Sequence, residues 1–129
     1  MVEVVEFPAV IADLRTYLMP HLPGVHVASK IPNPRKPSMV RLELAGGYGR
    51  NLAVSKRTLI VQCWAESDPA AARLAEKVSA LIFAAPRHVP VIRLVDSLGE
   101  PTDFPDPATS SPRYQFSVTV TVRGLVTTE

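Results

Sequence analysis

The chain has 129 residues, 47% of them hydrophobic and 20% charged, with a net charge of +2; this balance excludes intrinsic disorder and fits one domain that buries about two thirds of its unfolded surface. A lone cysteine, Cys63, excludes an intrachain disulfide, and no apolar run approaches the ~18 residues of a membrane span. Met1 to Glu6 carries two acids and no basic n-region, so neither a signal peptide nor an anchor is expected.

Pro8 suits a helix start, and Val10, Ile11, Leu14 and Leu18 recur at helical spacing until Pro20, which predicts a first helix over Pro8–Met19. A turn at Pro23-Gly24 leads into a short strand, Val25–Ser29. The prolines of Ile31-Pro32-Asn33-Pro34-Arg35-Lys36-Pro37 then forbid a regular helix. Met39–Ala45 alternates Val40, Leu42 and Leu44 against Arg41 and Glu43, a strand with one wet face. Gly46-Gly47-Tyr48-Gly49-Arg50-Asn51 is expected to form the loop of a hairpin. Thr58–Ala65 is apolar on both faces apart from Gln62, which marks a central strand, covered on both sides or at a subunit contact. Cys63 within it is expected to be a buried, inert thiol.

Asp68-Pro69 reads as an N-cap and first-turn pair, and Ala71, Leu74, Ala75, Val78, Leu81 and Ile82 form one apolar stripe, giving a second helix over Pro69–Ala84. Val91–Leu98 is the next strand. An acidic loop with Pro101, Pro105, Pro107 and Pro112 follows. In the last strand, Arg113–Gly124, Tyr114, Phe116, Val118, Val120 and Val122 alternate with Gln115, Ser117, Thr119, Thr121 and Arg123. The order α-β-β-β-α-β-β predicts an α+β fold, a mostly antiparallel sheet with two helices packed on it, as a single domain spanning 1–129.

Motifs that carry chemistry are missing from these elements. The glycines at 46, 47 and 49 lack the Gly-Lys-Ser/Thr ending of a phosphate loop, and no helix follows them. His21, His26 and His88 have no metal spacing, Ser110 and Ser111 no nucleophile elbow, and Asp103 with Asp106 no calcium-loop pattern. No catalytic residue, metal or cofactor is expected, and an enzyme ranks last among the function classes.

Charge is more informative. Lys30, Arg35, Lys36, Arg41, Arg50, Lys56 and Arg57 are half of the 14 Lys and Arg residues, and Glu43 is the only acid among them. Asp96, Glu100, Asp103 and Asp106 form an acidic stretch, with no Lys or Arg from Asp96 through Pro112. The basic segment fits either a solvated loop or a small nucleic-acid-binding module, although Tyr48 alone among its residues offers a stacking ring. A third reading joins the basic loop of one subunit to the acidic loop of the next, a heterologous contact that forms a ring when its rotation closes.

The ordered set Phe7-Pro8, Ile31-Pro32-Asn33-Pro34-Arg35, Arg50-Asn51-Leu52, Val61-Gln62-Cys63-Trp64-Ala65, Asp106-Pro107 and Arg113-Tyr114-Gln115-Phe116 to Arg123-Gly124 resembles tail terminator proteins of long-tailed bacteriophages over nearly the whole chain. The resemblance implies a small non-enzymatic protein that forms a hexameric ring on the finished tail tube, halts its polymerisation and offers a surface for head joining. Its partners would be further copies of itself, the tail tube protein and the head–tail connector protein, with no membrane and no nucleic acid beyond the DNA passing through the ring. It would be found at the head-proximal end of the virion tail, and in the host cytoplasm during assembly. On this view Arg35, Lys36, Arg41, Arg50 and Arg57 are candidates for contacts with tube or neighbouring subunits, and Asp103 and Asp106 for the opposing interface.

Overall fold

The computed structural model describes all residues from Met1 to Glu129. The elements follow the order β1 (Glu3–Glu6), α1 (Val10–Leu18), β2 (His26–Ala28), β3 (Met39–Tyr48), β4 (Val54–Trp64), α2 (Asp68–Ala84), β5 (Ile92–Asp103), β6 (Arg113–Arg123) and β7 (Leu125–Thr128). Single 3-10 turns extend α1 over Met19–His21 and α2 over Ala85–Arg87. The fold is α+β, as the order of periodic segments predicts.

Five strands form one sheet in the order β2-β3-β4-β6-β5, antiparallel throughout except for the parallel β2–β3 pair. The proline-rich segment after β2 carries the chain back along the sheet, so that β3 can begin beside the start of β2. Both helices lie on the same face. Val10, Leu14 and Leu18 of α1 and Ala75, Val78 and Ile82 of α2 pack on Val40, Leu42, Leu59, Val61, Cys63, Phe116, Val118, Val120 and Val122. Each such aliphatic side chain contributes about 1.5–3 kcal/mol by leaving water, and this layer sets which face of every strand is left open. The Tyr17 hydroxyl donates to the Leu81 carbonyl at 2.7 Å and ties the two helices together.

Four expectations are corrected. The cap of α2 is Ser67, whose hydroxyl accepts from the Ala70 amide at 3.2 Å, and Asp68 is the first helical residue instead. Gly46, Gly47 and Tyr48 belong to β3 rather than to a loop, because a bulge between Leu44 and Gly47 lets the strand continue beside β4. A side chain at Gly47 would place Cβ 2.5 Å from the Lys56 carbonyl oxygen, so only glycine lets the two backbones approach there. The acidic stretch is likewise strand: β5 runs to Asp103, placing Asp96, Glu100 and Asp103 in an edge strand. Pro101 is tolerated because it falls in a register shift between Gly99 and Thr102. Lastly, β1 and β7 form a separate two-stranded ribbon that was not anticipated, pairing Glu3 with Thr128 through Glu6 with Leu125.

Candidate assembly surfaces

With both helices on one face, the alternate residues of each strand look out from the other. Across this face the pairing aligns Arg41, Gln62, Gln115 and Thr102 in one row, and Glu43, Ile60, Ser117 and Gly99 in the next. Further along lie Thr58, Thr119 and Asp96, then Tyr48, Lys56, Thr121 and Leu94. The first row is a relay: Arg41 donates to Gln62 Oε1 at 3.3 Å, and Gln62 Nε2 donates to Gln115 Oε1 at 3.0 Å. Arg41 and Glu43, 3.6 Å apart, make the one ion pair in the molecule. Half-exposed pairs of this kind contribute little to stability. The hydroxyls of Thr119 and Thr121 are shielded by their neighbours and have no hydrogen-bond partner.

At one end of the sheet the loop after β5 folds over Trp64, which is fully buried. Its indole N–H donates to Asp106 Oδ2 at 3.2 Å, while Asp106 Oδ1 accepts from the Ala108 amide at 2.9 Å. The Ala108 bond holds the Asp106 carboxyl below the usual carboxylate range; partial burial opposes the shift, and Trp64, Arg113 and Thr109 reinforce it. The guanidinium of Arg113 lies 5.4 Å from the indole centroid and that of Arg35 lies 5.8 Å away. Arg113 Nε also donates to the Phe104 carbonyl at 2.9 Å, and Arg35 Nη2 to Ser111 Oγ at 3.1 Å. Two of the sequence candidates, Arg35 and Asp106, therefore hold their own subunit together. Lys36 beside them is exposed.

The other end of the sheet is basic. Arg57 is seven residues from Trp64 along β4, or about 23 Å at strand rise. Here Arg50 and Arg57 share one ring: their guanidinium carbons lie 4.8 and 5.8 Å from the centroid of Phe7. Arg50 Nη2 donates to the Val5 carbonyl at 3.4 Å, and Arg57 Nε to Ser55 Oγ at 3.2 Å. Lys56 sits over Tyr48 at 5.5 Å on the opposite face. Asn51 shapes the turn, its side-chain oxygen accepting from the Ala53 and Val54 amides at 2.7 and 2.9 Å. That turn holds Leu52 out, 83% exposed. None of these cations has a carboxylate partner. Glycine is required at 124, where a Cβ would run into Val5 and Phe7.

Along the edge, β5 shows the converse chemistry. Asp96, Glu100 and Asp103 are exposed without an ion-pair partner, interleaved with Leu94 and Leu98, which are 53% and 57% exposed. The Glu100 carboxylate accepts only from the Ser97 hydroxyl, at 2.7 Å. The largest depression, of about 290 Å³, lies elsewhere, lined by Asp13, Thr16, Tyr17, His88, Val89 and Pro90, and the His88 ring is stacked on Tyr17 there. No group of three or more His, Cys, Asp or Glu side chains is placed to hold a metal ion. No helix is long and apolar enough to cross a membrane. No protein-family model matches the chain, and no curated protein is similar to it.

Proposed function

We propose that the chain is a tail terminator subunit of a long-tailed bacteriophage, forming a hexameric ring that caps the tail tube, stops tube polymerisation and presents the head-joining surface. The observation that carries this reading is where the resembling segments lie. Phe7-Pro8, Arg50-Asn51-Leu52 and Arg123-Gly124 meet at the basic end, where Arg50 stacks on Phe7 and Gly124 closes against the same ring. Segments around Arg35, Trp64, Asp106 and Arg113 meet at the other end. Short pieces scattered over the chain thus become two packed corners of one sheet, as a role in shape and assembly requires.

In this reading the ring satisfies the exposed end of the tube on one side and offers the connector protein a different surface on the other. The role is structural, with no turnover and no cofactor, and DNA passes through the ring without being recognised. The protein acts at the head-proximal end of the virion tail after assembling in the host cytoplasm. Negative-stain microscopy of tail tubes polymerised with and without the protein tests it: rings seated on tube ends and arrested growth are expected, and unaltered tubes without rings would sink the proposal. The competing reading, a nucleic-acid-binding module, rests on the unpaired cations at the hairpin tip. An affinity for DNA that falls steeply with salt would mark it.

A further inference from the structure

The two guanidinium groups on Phe7 are an unfinished arrangement. Both guanidinium carbons lie within 6 Å of one ring centroid and neither has a carboxylate partner, so two positive charges stand uncompensated at this corner. Arg50 and Arg57 each spend one donor inside the subunit. Every guanidinium has five N–H donors, so both retain a free fork for a carboxylate. Beside them Leu52 projects into solvent. The tip therefore seeks a partner that alternates acidic and apolar groups.

The chain itself carries such a strip. On β5, Leu94, Asp96, Leu98, Glu100 and Asp103 are exposed, with the acids unpaired. From the hairpin of β3 and β4 this strip is reached by crossing β6, and Asp103 lies opposite Tyr114, toward the Trp64 end. The surfaces do not overlap, so one copy can use both at once, each toward a different neighbour, in a head-to-tail contact. We infer that the Arg50–Phe7–Arg57 clamp of one copy receives carboxylates from the β5 strip of the next, with Leu52 packing against Leu94 and Leu98. Nucleic acid is the poorer occupant, because Phe7 and Tyr48, the rings at the tip, already carry Arg50, Arg57 and Lys56. The residues responsible differ from those the charge pattern implies: Arg35 and Asp106 are committed to Trp64, whereas Asp96 and Glu100 join the contact. Closure of this contact into a ring rests on the function proposed above, but the pairwise contact does not.

Sedimentation velocity of the full chain tests the contact with two variants, R50E/R57E and E100K/D103K. Wild type is expected to self-associate, and to do so about tenfold or more weakly as salt screens the charges. Each variant alone stays monomeric. An equimolar mixture associates again, since the acidic strip of one variant meets the Arg clamp of the other, and this recovery also shows that both are folded. A wild type that remains monomeric up to about 1 mM overturns the inference. So does self-association that both variants retain, or a mixture that stays monomeric while each variant melts cooperatively. Loss of DNA binding in R50E/R57E, with a monomeric wild type, would assign the clamp to phosphate instead. Intact head-to-tail association with no effect on tail tubes would sink the terminator function and leave this contact standing.

Discussion

Replacing Asp106 by Ala puts the Trp64 corner to the sharpest test. Trp64 is fully buried beneath a partly exposed Asp106, and an indole N–H deprived of its carboxylate acceptor costs about 1–3 kcal/mol. The Ala108 amide is exposed and turns to water, so losing that bond adds only about 0.5–1 kcal/mol. The sum, about 1.5–4 kcal/mol, is a large part of the 5–15 kcal/mol typical of a domain. Urea unfolding followed by the emission of Trp64, the only tryptophan, reads it directly. The pH dependence has a fixed sign: a carboxyl held below its unfolded value of about 3.9 stabilises fully above that value, and the contribution is lost as pH falls through the lower, folded-state value. The wild type should therefore lose this increment in acid and the variant should not. Asp106→Asn, which keeps an acceptor oxygen, should recover part of the loss near neutral pH. A variant within 0.5 kcal/mol of wild type, well under the ~1.5 kcal/mol minimum expected here, would refute the reasoning.

Gly124→Ala should cost about 1–3 kcal/mol by driving Cβ into Val5 and Phe7, and should speed amide exchange in the β1–β7 ribbon before the main sheet; equal exchange in both would contradict the close approach. Ser67→Ala should lower stability by about 0.5–2 kcal/mol through loss of the α2 cap, measured by chemical denaturation. Thr119→Val removes a shielded hydroxyl without a partner and should be neutral or stabilising by up to about 1 kcal/mol; clear destabilisation would mean that the hydroxyl is satisfied after all. Burial pushes the Cys63 thiol well above its ordinary range, so thiol reagents should label it only upon unfolding, and labelling at the rate of a free thiol would disprove its burial.

The elements legible in the sequence are those with a period longer than their interruptions. Both helices and the core face of β6 could be read because Leu14, Leu18, Val78, Ile82, Phe116 and Val120 repeat at spacings that only one conformation places on a single face. The extension of β5 was hidden by Pro101 and Gly99, which signal a loop when read locally and sit in register shifts when β6 is alongside. β1 and β7 were hidden for another reason: four-residue strands have no periodicity of their own, and their partners lie at the opposite end of the chain. The candidate contacts divide in the same way. Charge marked Arg50, Arg57 and Asp103, which the fold leaves without an ion-pair partner, but no spacing rule brings Arg35 and Asp106 to Trp64, because that meeting depends on how two proline-rich loops fold over the sheet. Phe7 was missed as the base of the clamp, its only signal being an isolated aromatic residue beside a proline.

The position of β6 in the sheet has a consequence for biosynthesis. It lies between β4 and β5, both of which leave the ribosome before it. Until residues 113–123 emerge, the nascent chain must hold two strands that each lack a neighbour, with an apolar slot between them. At about 5–20 residues per second that exposed interval is short for a chain translated without pause. A stall or a premature stop upstream of Arg113 would make it permanent, leaving two bare strand edges of the kind that recruit other chains.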